Sequence, residues 1–209
     1  MTSSRKQATP RPYHHGDLRS ALLTAAEKIL EKEGIQALTL RAAARAVGVS
    51  HTAPQNHFGD LTGLLSDLAA VGFQRFAAAL AAAAESAGDD PRARAKAVGH
   101  AYVKFAQAQP GLFTLMYRSE RLDATRPALR EAIEVSRAAL RSIAIARAPD
   151  KSVSPLQMAA QAAALWSLVH GFAVLLLEGR LAGMIKALPG EVSQDELLEA
   201  VLSTTHVGD

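Results

Sequence analysis

Apolar side chains recur every three or four residues along most of the chain, which is the spacing of amphipathic α-helices. The first such repeat lies between Asp17 and Gly34, and its apolar members are Leu18, Leu22, Ala25, Ala26, Ile29 and Leu30. We expect Asp17 to cap the start of this helix and Gly34 to end it. A second helix is predicted from the N-cap Thr39 to Gly48.

A short polar segment then interrupts the apolar repeat. In SHTAPQNHFG, residues 50–59, Ser50 is predicted to cap a helix of only about seven residues, which Phe58 and Gly59 close. Two short helices around a tight turn at Gly48, the second too short to be stable alone, indicate a helix-turn-helix. The outer face of the third helix carries side chains that can hydrogen-bond base edges in the major groove of DNA: His51, Thr52, Gln55 and Asn56.

The rest of the chain continues the helical pattern. Asp60 is predicted to cap a fourth helix that extends to about Ser86. Further helices are expected at about residues 91–108, 110–117, 127–148, 155–180 and 193–205. Alanine and leucine dominate, β-branched runs are almost absent, and aromatic residues make up only 5% of the chain. We therefore predict an all-α fold.

Composition and charge narrow the classes of protein. The absence of cysteine from the 209 residues excludes disulfides, thiolate zinc sites and a cysteine nucleophile, and it suits a reducing cytoplasm. The first sixteen residues are polar and basic, so we expect no signal peptide. Residues 1–58 carry eight Lys or Arg against four Asp or Glu, and the remaining residues carry fifteen against sixteen. A basic head on a near-neutral body is typical of polyanion binding, although alternating charges on a solvated helix explain the same balance.

The segments of the helix-turn-helix resemble a known family. AAEKILEKEG, LTLRAAARAVGVS and HFGDLTGLL, in this order, are similar to the N-terminal domain of the TetR family of bacterial transcriptional repressors. YHHGDLRSALLTAA (residues 13–26) and LWSLVHGFAVLLLEG (residues 165–179) more narrowly resemble a subgroup whose C-terminal domain carries a Trp followed by His-Gly, here Trp166, His170 and Gly171. The resemblance covers about residues 13–73 and 155–180.

The resemblance implies a three-helix DNA-binding head, with a helix-turn-helix, joined to a larger helical bundle for ligand binding and dimerisation. The expected domains are a flexible basic arm over residues 1–16, the helix-turn-helix domain over 17–60, and the ligand-binding and dimerisation domain over 61–209. The arm residues Arg5, Lys6 and Arg11 either enter an adjacent minor groove or form a mobile tail. The resemblance also implies a homodimer through the last two helices.

By position in the family's motif, the expected DNA contacts are Arg41, Ser50, His51, Thr52, Gln55, Asn56 and His57. His57 either binds a phosphate or packs beside Phe58. The chain departs from the family at Gln55, where a tyrosine is usual, and at Leu61, where a lysine is usual. That tyrosine and lysine normally contact phosphates, so their loss lowers the expected affinity for DNA unless Gln55 reads an adenine edge instead.

Eight side chains of the body are candidates to line a pocket for a small apolar or aromatic effector: Phe73, Phe76, Phe105, Phe113, Met116, Tyr117, Trp166 and His170. Aromatic residues at helical spacing are also typical of ordinary core, and His170 can equally be a hydrogen-bonded core histidine. The resemblance implies a homodimeric, ligand-responsive regulator, most simply a repressor, that binds a palindromic operator in the cytoplasm. The alternative is a dimeric small-molecule sensor or interaction protein with weakened or lost DNA binding.

No pattern in the chain indicates an enzyme, a metal site or a bound cofactor. There is no Gly-rich phosphate loop and no Ser-His-acid order in a strand-turn-helix setting. His51 and His57 fit neither the i,i+3 nor the i,i+4 spacing of helical metal ligands. The apolar run from Leu156 to Leu177 approaches the length of a membrane span. It includes polar residues such as Gln161 and lacks a basic flank, so we expect protein, partly from a second subunit, to cover it.

Overall fold

The computed structural model of the protein describes residues 15–147 and 154–204. Ten α-helices lie in this part of the chain: α1 (His15–Glu33), α2 (Leu40–Val47), α3 (Ala53–Phe58), α4 (Leu61–Ser86), α5 (Pro91–Ala108), α6 (Pro110–Met116), α7 (Pro127–Arg147), α8 (Pro155–Leu177), α9 (Ala182–Lys186) and α10 (Gln194–Thr204). The described residues contain no strand. The all-α prediction is confirmed.

Two predicted helix starts are wrong. Helix α1 begins at His15, so Asp17 lies within its first turn instead of capping it. Helix α3 begins at Ala53 instead of directly after Ser50, and Thr52 occupies its N-cap position. The cause is local, because the Ser50 hydroxyl oxygen accepts the Thr52 N–H at 3.3 Å and thereby stabilises a separate turn.

Other elements either were not predicted or lie outside the described residues. Helix α9 and the 3₁₀ turn Ser119–Arg121 are too short to show a periodic apolar pattern. The arm residues Arg5, Lys6 and Arg11, and the predicted helix ends at residues 148 and 205, lie outside the described residues.

The chain divides into two compact units, one up to Leu64 and one from Leu65 onward. The first unit, which we call the head, contains α1, α2 and α3. Its buried apolar side chains include Leu22, Ala26, Leu30, Leu38, Ala43, Ala44 and Phe58. Their burial accounts for the apolar spacing of α1 and α2.

The second unit, which we call the body, is built around α5. This helix packs against α6, α7, α8 and α10. Its side chains Val98, Tyr102, Val103 and Phe105 are buried together with Phe76 and Leu80 of α4 and Phe113 of α6. Helix α5 starts with a strong cap, because the Asp90 carboxylate accepts the backbone N–H groups of Arg92 and Ala93.

Two glycines permit close helix packing in the body. A Cβ at Gly72 of α4 would lie 2.8 Å from Met116 Sδ and 3.0 Å from Leu112 Cγ, both on α6. A Cβ at Gly99 of α5 would lie 2.7 Å from Leu202 Cδ2 on α10. Each glycine therefore leaves room for a side chain of the neighbouring helix.

Two described helices, α4 and α8, are long and apolar enough to cross a membrane. The most apolar window of α4 is 67% buried within the protein, as expected for a core helix, whereas that of α8 is only 17% buried. The apolar surface of α8 therefore lacks cover within the described part of one chain.

Candidate nucleic-acid interface and ligand site

Helix α2, helix α3 and the turn between them carry the predicted DNA-contacting residues. The Thr39 hydroxyl oxygen accepts the Ala42 N–H at 3.0 Å and caps α2. Gly48 ends α2 with φ of 77°, which is a left-handed conformation that glycine adopts without strain. The Asp60 carboxylate accepts the Gly63 N–H at 2.7 Å and caps α4. These caps fix the position of α3 within the head.

Six of the seven predicted DNA-contacting residues are exposed: Arg41, Ser50, His51, Thr52, Gln55 and Asn56. The inner face of α3 is formed by Pro54 and Phe58, which are buried. Within the described residues, the side chains of Gln55 and Asn56 make no hydrogen bond, so their amides keep their full hydrogen-bonding capacity. An exposed amide pair beside a buried apolar face is suited to a base-reading helix.

Four residues of the predicted set have a more particular geometry. The hydroxyl oxygens of Ser50 and Thr52 lie 2.9 Å apart and share a hydrogen bond, so each is partly satisfied within the turn. His51 and Thr52 precede α3 instead of lying on it. His57 is half-buried, and its ring centroid lies 6.2 Å from that of Phe58.

The head is also held together by a cation–π contact. The guanidinium carbon of Arg19, on α1, lies 5.6 Å from the ring centroid of Phe58, on α3. A cation at this distance from an aromatic face is attracted by the ring quadrupole. This contact adds to the apolar packing that orients the short helix α3 on α1.

An open groove of about 500 Å³ lies between α1 and the end of α2. Its lining includes the charged residues Lys28, Lys32 and Glu33. An effector pocket normally encloses most of its ligand behind apolar walls. This groove is therefore a poor match for the predicted apolar effector.

In the body, a buried tyrosine organises a polar network that we call the Tyr102 network. The Tyr102 hydroxyl lies 2.9 Å from the Tyr117 hydroxyl and 2.9 Å from His170 Nδ1, and it accepts the indole N–H of Trp166 at 3.2 Å. These four residues come from α5, α8 and the C-terminal end of α6. Three residues of the predicted effector site, Tyr117, Trp166 and His170, thus all form hydrogen bonds with the Tyr102 hydroxyl.

Seven of the eight predicted effector-site residues form one aromatic cluster with Tyr102. Ring contacts join Tyr102 to Phe76 at 4.9 Å and to Phe113 at 5.8 Å, and Tyr117 to His170 at 4.5 Å. Further contacts connect the remaining members Phe73, Phe105 and Trp166. Met116 is buried in the body core, where it packs on Gly72.

Tyr102, which is fully buried at the centre of the cluster, is not among the residues predicted from the sequence. A signal was available, because a tyrosine on the apolar face of a helix needs a partner for its hydroxyl group. Tyr102 and Phe105 stand on the same face of α5, three residues apart. Aromatic character alone does not single out Tyr102, whereas the need of its hydroxyl group for a hydrogen-bond partner does.

Burial controls the protonation of the network. It raises the pKa of Tyr102 and the pKa of Tyr117, mainly because the phenolate forms would be poorly solvated. Burial also lowers the pKa of His170, since the imidazolium form would lose solvation. All three groups are therefore neutral near pH 7.

A cavity of about 20 Å³ lies beside the network. Its lining includes Tyr102, Trp166, Val169 and Leu140. This volume holds about one water-sized group, whereas known ligand pockets span roughly 300–1,000 Å³. The predicted effector site is thus closely packed in this conformation.

Helix α8 carries the exposed apolar surface of the body. Leu156 is 79% exposed, Trp166 43% and Leu175 44%, although Val169 and Phe172 on the other side of α8 are buried. Residues of this size are seldom left uncovered along one helix of a soluble protein. The surface lies on one of the two helices predicted to form the dimer interface.

Comparisons with known proteins decide the family. Residues 95–204 match the family model described as "Tetracyclin repressor-like, C-terminal domain", which is more than half of the chain. The chain belongs to the TetR family of transcriptional regulators. The subgroup marked by Trp166, His170 and Gly171 stays a prediction.

Several solved structures have the same fold as this chain. A protein of unknown function from Rhodococcus sp. RHA1 is 37% identical, with a TM-score of 0.78, and the match covers 93% of this chain and 96% of that one. The TetR family transcriptional regulator PfmR from Thermus thermophilus is 19% identical, with a TM-score of 0.60, over 87% of this chain and 94% of that one. A TetR-family bacterial regulatory protein from Rhodococcus RHA1 is 18% identical, with a TM-score of 0.61, over 92% and 98% of the two chains. Comparison with curated proteins gives no match.

Proposed function

We propose that this TetR-family protein is a homodimeric, ligand-responsive repressor that binds a palindromic operator in the cytoplasm. The observation that carries the proposal is the pair of exposed and unbonded amides, Gln55 and Asn56, on the second helix of the helix-turn-helix. Amide side chains bind adenine in a bidentate manner in the major groove. The body contributes the dimer contact and the effector site.

The dimer is supported by the uncovered apolar surface of α8. In the proposed dimer, α8 and α10 of one protomer pack against the same helices of its partner around a two-fold axis. Leu156 and Leu175 are the anchors of this interface, because they are large, apolar and exposed in one chain. The two copies of α3 then enter successive major grooves about 34–36 Å apart.

Effector binding in the body is proposed to control the DNA-binding head. The aromatic cluster offers an apolar site with a few polar groups at its centre, which is the usual composition of a small-molecule site. Displacement of α4 by an effector would change the spacing between the two copies of α3 in the dimer and release the operator. A coupling of about 1–3 kcal/mol is sufficient, since it changes operator affinity by roughly 5- to 150-fold.

Selection of bound duplexes from a random DNA pool at physiological salt tests the repressor proposal. The expected product is a palindrome whose half-site centres are about one helical turn, roughly 10 base pairs, apart. Gln55→Ala should then weaken binding to the selected palindrome about tenfold or more, because a lost bidentate contact removes roughly 1–3 kcal/mol of discrimination. Gln74→Ala, which changes an exposed glutamine in the body, is the matched control and should leave the affinity unchanged.

A second candidate function is a dimeric sensor without DNA binding. Leu61 favours it, because an apolar and half-buried residue stands where the family usually has a phosphate-binding lysine. In that case the selection returns no enriched palindrome. The protein would still form dimers and bind small molecules.

A further inference from the structure

Counting hydrogen-bond donors and acceptors limits the hydrogen atoms of the Tyr102 network to two arrangements. A hydroxyl group donates one hydrogen bond and accepts two, and the Tyr102 hydroxyl has three partners. The Trp166 indole N–H can only donate, so it occupies one acceptor position of Tyr102. Of Tyr117 and His170, one must therefore donate to Tyr102 and the other must accept from it.

Both arrangements leave one hydrogen-bond donor and one hydrogen-bond acceptor unused. If Tyr102 donates to His170 Nδ1, the Nε2–H of His170 has no partner in the network and the Tyr117 oxygen keeps an acceptor position. If His170 donates from Nδ1, Tyr117 keeps its O–H and His170 Nε2 is an acceptor. The network thus always retains one donor and one acceptor, on adjacent rings whose centroids are 4.5 Å apart.

The network also lacks a charge that could pair with an ionic ligand. None of its four members is Lys, Arg, Asp or Glu, and the hydrogen bonds described for them join only these four residues. A carboxylate accepts but cannot donate, so it would need two donors. The network has a second free donor only if His170 takes up a proton, which its burial opposes.

The space beside the network suits a small polar group. The adjoining cavity of about 20 Å³ holds one water-sized group, such as a hydroxyl or the amino end of an amide, but no aromatic ring. The apolar part of a ligand must therefore displace a side chain.

We propose that the Tyr102 network is the polar end of the effector site and selects an uncharged, mainly apolar molecule whose polar group donates one hydrogen bond and accepts one. Primary and secondary amides, phenols, alcohols and azoles with a ring N–H belong to this class. The inference deepens the proposed function, because it rests on the body being the effector-binding unit.

Trp166 provides a direct signal for the test, since it is the only tryptophan of the chain. The full-length protein is titrated at neutral pH, without DNA, with benzamide, benzoate, benzamidinium and methyl benzoate while Trp166 fluorescence is recorded. These probes share one ring and differ in hydrogen-bonding groups and charge. We expect benzamide to bind about tenfold or more tightly than each of the others, because each of them leaves a buried polar group unpaired.

Two Tyr→Phe variants separate recognition from simple packing. In Tyr117→Phe, Tyr102 can still donate to His170, which leaves the Nε2–H donor but removes the neighbouring acceptor. The preference for benzamide over methyl benzoate should therefore largely disappear, even where overall affinity changes. Tyr13→Phe makes the same chemical change outside the described residues and should preserve the preference.

Benzoate or benzamidinium binding as tightly as benzamide would overturn the proposal. So would a Trp166 signal that benzamide leaves unchanged, or a Tyr117→Phe variant that keeps the full preference for benzamide over methyl benzoate. The titration contains no DNA, so its outcome is separate from the operator selection. Benzamide binding without an enriched palindrome would refute the repressor function alone.

Discussion

The Arg126 guanidinium donates two hydrogen bonds to the Asp67 carboxylate, from Nε to Oδ1 at 3.0 Å and from Nη2 to Oδ2 at 3.1 Å. The Asp67 side chain is only 3% exposed and that of Arg126 is 29% exposed. The neighbouring Ser66 adds a further contact, because its hydroxyl oxygen accepts the Asp123 N–H at 2.8 Å. These bonds attach α4 to the segment that precedes α7.

Arg126→Ala should lower the free energy of unfolding by about 3 kcal/mol, because it leaves a buried carboxylate without its cation. Urea unfolding measures this loss. Arg137→Ala is the matched control, since Arg137 pairs with Glu134 at 2.9 Å and both side chains are more than half exposed. The control should cost less than about 1 kcal/mol, and equal losses in the two variants would contradict this account of α4 attachment.

Gly72→Ala should destabilise the body by about 1–3 kcal/mol, because the new methyl group would overlap Met116 and Leu112. Gly183→Ala is the control, since a Cβ at this α9 position meets no atom within 4 Å. It should be neutral or stabilising by up to about 1 kcal/mol, from the higher helix propensity of alanine. Thermal unfolding of both variants checks the difference, which must vanish if α4 and α6 are not in close contact.

The two tyrosines of the Tyr102 network should resist ionisation. Burial raises the pKa of both above the usual value of 10.0, so the unfolded chain releases these protons before the folded chain does. Stability from this source is complete below about pH 10 and declines as pH rises above it. In the Tyr13→Phe variant, phenolate absorbance should appear only together with unfolding. Phenolate formation at about pH 10 in the folded variant would show that the hydroxyl groups are solvated.

His170 should contribute to acid sensitivity. Burial lowers its pKa from 6.5, so below this pH the unfolded chain takes up a proton at His170 before the folded chain does. This contribution to stability is present above about pH 6.5 and is lost as pH falls through the folded-state pKa. His170→Gln should therefore reduce the dependence of the unfolding free energy on pH below about 6.5, by no more than about 1.4 kcal/mol per pH unit. An unchanged slope would mean that His170 is solvated in the folded protein.

Much of the fold was predictable because its signals are local. The cap at Thr39, the left-handed Gly48 and the cap at Asp60 each depend on a few neighbouring residues. Apolar periodicity predicted the long helices for the same reason. The predicted start of α3 is wrong because a serine at position 50 can either cap a helix or stabilise a separate turn. Residue type alone does not distinguish these two roles.

The effector site was only partly predictable because it depends on contacts between distant residues. The aromatic candidates were recognisable by type, but Tyr102 and His170 are 68 residues apart in the chain, and their hydrogen bond follows from the packing of α5 on α8. The salt bridges of Asp67 with Arg126 and of Lys96 with Glu199 are likewise products of tertiary packing. Nothing in the local sequence around either partner identifies the other.

The central claim is that the protein recognises a DNA sequence through α3. Its most direct test is the affinity for the selected palindrome relative to a scrambled duplex of the same length and base composition, measured by fluorescence anisotropy at physiological salt. The repressor proposal predicts at least about a thousandfold tighter binding to the palindrome. Equal affinity for both duplexes, with the same salt dependence, would contradict it.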